Sequence, residues 1–198
     1  MRAPRTVRSS CSSLPRGVPG APAVLAVPRT YPEARGRVDT VGGMATPDFI
    51  LELREKVGHA PLWLIGTAAI VVRDGEVLLV RRADDGAWTP VTGIVDPGEE
   101  PAQAARRELL EEAAVVGAAV RVTSIRVSPM ITYSNGDQTQ YVNIDFLFRW
   151  ISGDPHPADG ENTDARWFPV DALPEMSEWH REGVEHALSA EEAAHFIP

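Results

Sequence analysis

Three glutamates near the middle of the chain have the spacing of a metal site. Glu108, Glu111 and Glu112 follow a short loop that contains glycine and proline. If the segment after Pro101 is helical, their side chains lie on one face of one helical turn. At about 5 Å apart, each like-charged pair costs on the order of 3 kcal/mol at an effective dielectric of about 20. A hard divalent cation such as Mg²⁺ would remove this penalty, and Mg²⁺ favours one or two carboxylates combined with substrate phosphates.

The simpler interpretation of the same residues is a solvated helix face. Exposed like-charged pairs cost only about 0.2–0.5 kcal/mol each, so a helix rich in glutamate needs no metal. The surrounding spacing favours the metal site over this alternative. Gly93 is followed six residues later by Glu99, and Arg107 then stands directly before the first of the three glutamates.

Residues 93–115, with the sequence GIVDPGEEPAQAARRELLEEAAV, resemble the Nudix box. This motif is the signature of hydrolases that cleave nucleoside diphosphates linked to another group. The resemblance includes every charged position of the motif and departs from it at Ala114, where the family usually has glycine. It implies a Nudix-type α/β/α sandwich with a mixed β-sheet. It also implies hydrolysis that depends on Mg²⁺, with Mn²⁺ as an alternative metal.

The resemblance assigns a role to each charged residue of the box. Glu108, Glu111 and Glu112 would bind the metal, and Glu108 would also be the general base, with a glutamate outside the box as its rival. Arg107 is expected in the catalytic centre. It would either form an ion pair with Glu99 that braces the loop or orient Glu111, which lies one helical turn away. The sequence does not choose between these two partners.

A carboxylate outside the box is expected to complete the metal site. Glu161 stands in a polar loop, six residues before Trp167. In this relation it resembles the distal glutamate of family members that cleave nucleoside triphosphates. Asp159 and Asp164 are its rivals, and each of the three is equally open to being an ordinary solvated loop residue.

Four further residues are candidates for contacts with a substrate. Gly93 begins a loop that must approach phosphates closely, which glycine permits because it has no Cβ. Trp88, Tyr133 and Tyr141 are candidates for stacking on a base, and we favour Trp88 because it directly precedes the box loop. The alternative for each aromatic residue is ordinary packing, since aromatic side chains bury large areas anywhere in a protein.

Apolar periodicity predicts the strands and helices that must position these residues. An amphipathic helix at residues 48–57 either packs on the domain or forms a dimer contact. Asp74–Gly75 and Asn135–Gly136 are two-residue hairpin signals. The expected strands are residues 63–72, 76–82, 119–132, 138–150 and 165–170. The alternation of strands and helices predicts an α/β fold, layered as α/β/α with a mixed sheet.

The helix that carries the glutamates should begin at Pro101, since proline suits a first helical turn. Ala114 lacks the freedom of the usual glycine, so we expect this helix to run further and to end at Gly117. Residues 83–92 are expected to form a loop, and residues 178–188 the last helix.

Composition excludes several classes of protein. The chain has 198 residues, a net charge of −9 and a single cysteine, Cys11, so it has neither an internal disulfide nor a zinc site built from cysteines. Lys56 is the only lysine, which excludes a P-loop lysine. The acidic balance disfavours nonspecific binding of nucleic acid. No apolar run reaches about 18 residues, so we expect no membrane partner and a cytoplasmic location.

The first 43 residues differ from the rest of the chain. They contain six prolines, seven arginines and no sustained apolar periodicity, which predicts disorder. Three origins remain open: an extension upstream of a true start at Met44, a targeting peptide, or a flexible tail. Residues 44–198 would then form the Nudix domain.

The function predicted from the sequence is cleavage of a diphosphate bond in a small nucleotide derivative. ADP-ribose, a dinucleoside polyphosphate and a noncanonical triphosphate are all open as substrates. The alternative is a sensor module that binds a nucleotide without turnover, which the intact set of glutamates disfavours. A homodimer is left open.

Overall fold

The computed structural model describes residues 46–198. The disorder expected for residues 1–43 and the proposed start at Met44 lie outside the described residues. Within this range the chain forms three helices, α1 (Asp48–Val57), α2 (Pro101–Ala113) and α3 (Glu178–Leu188). The strands are β1 (Leu62–Arg73), β2 (Glu76–Arg82), β3 (Trp88–Thr89), β4 (Val91–Ile94), β5 (Val116–Val127), β6 (Ile131–Thr132), β7 (Gln138–Ser152) and β8 (Asn162–Pro169).

The strands form one mixed sheet with β1 at its centre. Strand β1 pairs in parallel with β7 and antiparallel with β2 and β4. Strand β7 also pairs with β5 and β6, and β2 also pairs with β3 and β8. The parallel β1–β7 pair, set among antiparallel neighbours, confirms the mixed sheet that the sequence predicts.

Helices cover both faces of this sheet. On one face, Leu109 of α2 packs in a buried cluster with Val71 of β1 and Phe148 of β7. On the other face, Val184 of α3 packs with Ile70. Successive residues of β1 therefore point into different cores, which is why the sequence of β1 is continuously apolar rather than alternating. The predicted α/β/α layering is confirmed.

Helix α1 packs against the domain through one buried residue and one clamp. Ile50 joins Leu64 and Ile94 in a small apolar cluster. The Arg54 guanidinium donates to the Gln138 carbonyl oxygen at 2.8 Å and lies 3.4 Å from the Asp137 carboxylate. These contacts tie α1 to the loop between β6 and β7. Within residues 46–198, no helix is long and apolar enough to cross a bilayer.

The structure corrects three predictions about loops and strand ends. Residues 83–92 are not wholly a loop, because β3 and the start of β4 lie within them, and strands of two and four residues are too short to show periodicity. The Asn135–Gly136 turn is not a two-residue hairpin: Thr132 pairs with Gln138, so residues 133–137 form the loop. The last strand begins at Asn162, three residues earlier than predicted.

The end of α2 also differs from the prediction. The helix stops at Ala113, and Ala114 adopts the left-handed conformation, with φ 54° and ψ 29°. The next residue, Val115, is fully buried, and Gly117 lies inside β5 rather than at a helix end. The chain must reverse at residue 114 to bury Val115 and begin β5. Tertiary packing therefore imposes a conformation that alanine disfavours.

This strain predicts that Ala114→Gly stabilises the protein. An alanine in the left-handed conformation costs about 1–2 kcal/mol, and glycine avoids this cost. Glycine also gives the unfolded chain more conformational freedom, which offsets part of the stabilisation. We expect the free energy of unfolding in urea to rise by about 0.5–1 kcal/mol. The matched control is Ala113→Gly, one residue earlier in regular helix, which should lower it by about 1 kcal/mol or more. Destabilisation by Ala114→Gly would contradict this account.

Candidate active site

Helix α2 places the box glutamates against the end of β4. Its first turn is fixed to the sheet, because the Thr67 hydroxyl donates to the Pro101 carbonyl oxygen at 3.3 Å. About two turns further on, the Glu108 side chain lies directly over Gly93, and a Cβ at Gly93 would overlap the Glu108 Cγ atom. The Glu108 side chain therefore requires a glycine at position 93, independently of the predicted close approach to phosphate.

Arg107 is the centre of the charged cluster. Its Nε and Nη2 atoms donate to the two carboxylate oxygens of Glu99 at 3.1 and 3.0 Å, and Nη2 also donates to the Ile94 carbonyl oxygen at 3.2 Å. Its Nη1 atom lies 2.7 Å from Glu108 and 3.3 Å from Glu111. Both partners that the sequence left open are engaged at once. Arg107 therefore joins the box loop to two carboxylates of the helix.

The pKa of Arg107 reflects these contacts. Burial acts to lower it, but the hydrogen bonds and charges of Glu99 and Glu108 outweigh burial, so the pKa of Arg107 lies above its ordinary value. The guanidinium is thus a permanent cation between acidic neighbours.

Two of the glutamates, the partly buried Glu108 and the buried Glu112, have raised pKa values. Burial raises the pKa of Glu108 to about 7; Arg107 opposes the shift, and Glu111 and Glu161 add to it. Burial, and then the charge of Glu108, hold the pKa of Glu112 well above its usual range. Glu112 is 6% exposed and accepts a hydrogen bond from the Asn162 Nδ2 atom at 2.9 Å. These carboxylates are not a solvated face.

Glu161 lies close to this pair. Its negative charge contributes to the raised pKa values of both Glu108 and Glu112. Its backbone is held on both sides, since its amide donates to Asp159 Oδ1 at 3.0 Å and its carbonyl accepts from the Ala83 amide at 3.0 Å. Of its rivals, Asp159 also contributes to the raised pKa of Glu112, and Asp164 forms an ion pair with Arg166. The structure therefore brings Glu161 to the cluster.

The donor chemistry of the cluster fits a hard divalent cation. The side chains that face one another are carboxylates, and burial of Glu108 and Glu112 leaves negative charge that protein partners compensate only in part. Among the described residues, however, no three acidic or histidine side chains form a ready-made metal cage. The cation that faces Glu108 and Glu111 in this structure is Arg107.

A cavity of about 920 Å³ lies between the sheet and the first turns of α3. Gly93 lines it at the end nearest the glutamates, and so does Arg82, whose charge interacts with Glu112. Trp179 and His180 line the α3 side. Burial lowers the pKa of His180 to about 4, so this imidazole is neutral at physiological pH.

The predicted aromatic residues divide between the cavity and the core. Tyr133 and Tyr141 both line the cavity, and their hydroxyl oxygens lie 3.0 Å apart. Trp88 does not line it: its ring packs edge-on against Phe168, with the centroids 4.8 Å apart, in the core beneath α3. The pairing of β3 with β2 fixes this direction, so the geometry does not support base stacking by Trp88.

Several residues of the site carry no signal in the sequence. Asn162 donates a hydrogen bond to Glu112, 50 residues earlier in the chain, and Trp179 of the last helix lines the cavity. The cationic Arg82 follows an ordinary strand pattern. The sequence indicates Asn162 only through its position next to Glu161, and this signal is not specific.

The fold and the site together define a layered α/β protein with a cluster of carboxylates near a cavity of about 920 Å³. Comparison with known protein families gives the same class. The family model of the NUDIX domain matches residues 63–187, more than half of the chain, so the chain belongs to the Nudix family.

Known relatives agree with this assignment. Over 116 residues the chain is 31% identical to the oxidized purine nucleoside triphosphate hydrolase of Danio rerio, a match that covers 57% of this chain and 70% of that protein. It is 32% identical over 108 residues to the NAD-capped RNA hydrolase NudC of Chromobacterium violaceum, covering 53% of this chain and 38% of that protein. The chain therefore spans well under half the length of this NudC relative.

A solved structure gives the same fold. The crystal structure of a MutT NUDIX hydrolase from Burkholderia pseudomallei aligns with a TM-score of 0.54 and 26% identity, covering 63% of this chain and 98% of that one.

The raised pKa of Glu108 predicts how the metal-free protein responds to pH. A carboxyl group whose pKa rises from 4.5 to about 7 on folding destabilises the folded state as pH increases through this range. Glu108→Gln removes that loss. In EDTA we expect Glu108→Gln to melt at a higher temperature than the native protein at pH 8, with a smaller difference at pH 5. Glu100→Gln, on an exposed neighbour, is the control, and equal effects of Glu108→Gln at both pH values would contradict the assignment.

Proposed function

We propose that this chain, an enzyme of the Nudix pyrophosphohydrolases, cleaves a diphosphate bond in a small nucleotide derivative with the help of Mg²⁺. The observation that carries this proposal is the partly buried Glu108 carboxylate beside the buried Glu112 carboxylate, whose pKa the charge of Glu108 raises, next to a nucleotide-sized cavity. Gly93 connects the two features, since it touches Glu108 and lines the cavity. A diphosphate in the cavity would thus reach the carboxylates.

Four glutamates would hold the metal. Glu108, Glu111, Glu112 and Glu161 supply the carboxylate oxygens that Mg²⁺ or Mn²⁺ prefers. The bound ion would supply a water of lowered pKa and neutralise charge that develops on the phosphate oxygens. Asn162 fixes Glu112 through its amide hydrogen bond.

Glu108 is the group best suited to accept a proton. Burial raises the pKa of Glu108 to about 7 in the metal-free protein, and a bound cation would lower it, so the carboxylate would be ionised and able to accept a proton at neutral pH. Glu161, which lies close enough to influence that pKa, is the rival outside the box. Arg107 would hold Glu108 and Glu111 in place and, through Glu99, fix the loop beneath the phosphates.

The rest of the nucleotide would occupy the cavity. Tyr133 and Tyr141 offer ring faces in its wall, and Arg82 offers a cation at the end near the glutamates. The named substrates of the two relatives, an oxidised purine triphosphate and an NAD-capped RNA, share a nucleotide and a phosphoric anhydride. The acidic charge of the chain favours the small nucleotide, since long nucleic acids bind to basic surfaces. That no nucleic acid is bound stays a prediction.

A turnover screen with matched variants tests this function. ADP-ribose, a dinucleoside polyphosphate, NAD and an oxidised purine triphosphate are incubated with Mg²⁺, Mn²⁺ or EDTA, and the products are separated by chromatography. We expect metal-dependent cleavage of at least one compound. We also expect a loss of about 100-fold or more for Glu112→Gln, because charge stabilisation at phosphorus is the main catalytic term.

Glu100→Gln is the control for this screen, since Glu100 is exposed and stands just before the helix. Its rate should match that of the native protein. Equal rates for Glu112→Gln and the native protein would refute the metal site. Nucleotide binding by a folded, metal-loaded protein that cleaves none of the compounds would favour the sensor module.

Arg107→Lys tests the bracing role of the guanidinium. Lysine keeps the charge but cannot form the two-pronged contact with Glu99 and also reach Glu108. Because hydrogen bonds to charged groups contribute about 1.5–3 kcal/mol each, we expect the free energy of unfolding to fall by about that amount, together with a lower kcat. Arg106→Lys, at the neighbouring exposed position, is the control. Unchanged stability and kcat for Arg107→Lys would show that the contacts are incidental.

A further inference from the structure

A strip of polar residues forms the cavity floor on the α3 face of the sheet. Arg126 of β5 lies opposite Asn143 of β7 in the strand register, and Asp145 follows on the same face of β7. All three line the cavity, whereas none of the box glutamates is among its lining residues. The metal chemistry of the box gives these residues no role.

Asp145 fixes the orientation of its neighbours. Its side chain is buried, and its Oδ2 atom accepts hydrogen bonds from the Ser124 hydroxyl at 2.5 Å and from Arg126 Nη2 at 2.9 Å. Its Oδ1 atom accepts from the Asn143 amide nitrogen. An ionised carboxylate only accepts hydrogen bonds, so Asn143 must turn its NH₂ group towards Asp145. The amide oxygen of Asn143 therefore points the other way.

The oxygen of Asn143 faces Gly66 and the cavity. A Cβ at Gly66 would lie 2.5 Å from Asn143 Oδ1, so glycine leaves the room that this carbonyl occupies. Among residues 46–198, the side-chain hydrogen bond of Asn143 is the one that its amide nitrogen donates to Asp145, and its Oδ1 atom accepts none. A fixed acceptor of this kind selects a ligand group that carries an N–H.

The surroundings indicate a planar, uncharged group rather than a phosphate. Trp179 covers the Arg126 guanidinium, with the Arg126 Cζ atom 3.9 Å from the ring centre. The charge of Arg126 is already paired with Asp145 and with Glu182, the latter at 3.2 Å. The ring of Tyr141 stands next to Asn143 on the same strand face. Flat aromatic walls with a neutralised floor suit a heterocyclic base.

We propose that Asn143 determines the specificity of this cavity by accepting a hydrogen bond from an N–H group of the nucleobase, with Asp145 as the positioning residue that fixes the amide. This inference rests on the proposed function only in that the ligand is a nucleotide. It concerns binding of the base and not cleavage, so the two can fail separately.

The experiment measures binding without metal. The probes are the 5′-monophosphates of adenosine, inosine and guanosine, together with that of purine riboside, whose base carries no N–H. Affinities are obtained by calorimetry in EDTA. We expect the tightest of the first three to bind about tenfold or more tightly than purine riboside monophosphate, because the latter leaves the Asn143 acceptor unpaired.

Two variants separate recognition from folding. Asn143→Leu removes the acceptor and should reduce this tenfold ratio to about twofold or less. Ser124→Ala removes a different hydrogen bond to Asp145 and leaves Asn143 in place, so it should lower the melting temperature while the ratio stays at its native value. If Asn143→Leu does not fold, Gly66→Ala, which crowds the oxygen from the cavity side, must lower the ratio instead.

The outcomes are decisive in both directions. A native ratio near one, no binding of any probe, or a ratio that survives Asn143→Leu would overturn the proposal. A ratio lost equally in Ser124→Ala would show a general structural effect and would overturn it as well. If the affinity ratio of the native protein depends on Asn143 but the protein cleaves none of the compounds, the proposed hydrolysis is wrong and the proposal for base recognition stands.

Discussion

The repulsion between two buried carboxylates is the constraint on which the rest of the site depends. Glu108 lies mostly and Glu112 almost wholly out of water, the charge of Glu108 raises the pKa of Glu112, and the fold compensates the two only in part. Arg107 supplies the nearest compensation and ties the helix to the loop before it. The absence of a side chain at Gly93 is the geometric condition for this arrangement, since any Cβ there would displace Glu108. The compensation of these charges by Arg107 therefore connects the loop, the helix and the end of the strand.

The two faces of the sheet carry different groups of side chains. The α2 face carries the charged chemistry, and the α3 face carries a cavity with a neutral imidazole, aromatic walls and a polar floor. The strand end at Gly93 is where the two meet. A single mixed sheet therefore presents an acidic centre on one face and a cavity on the other, near the same strand end.

The sequence predicts the charged site far better than the cavity. Helical spacing alone gathers Glu108, Glu111 and Glu112, because neighbours on one turn share a face whatever surrounds them. The direction of Trp88, by contrast, depends on the pairing of a two-residue strand, which leaves no periodic signal. The αL conformation of Ala114 is imposed by the burial of Val115, so a local rule for glycine fails there. Long-range contacts such as the one between Asn162 and Glu112 have no pattern to detect.

The clamp between α1 and the β6–β7 loop has a consequence for how this protein can diversify. Arg54 contacts Asp137 in the loop of residues 133–137, and Tyr133 of the same loop lines the cavity. Helix α1 lies before residue 63, outside the segment that the family model matches. Substitutions in α1 can therefore shift this loop and change the cavity wall at Tyr133, and they also reach Ile94, against which Ile50 packs. Variation outside the segment shared with the family is thus one source of difference in the shape of the cavity.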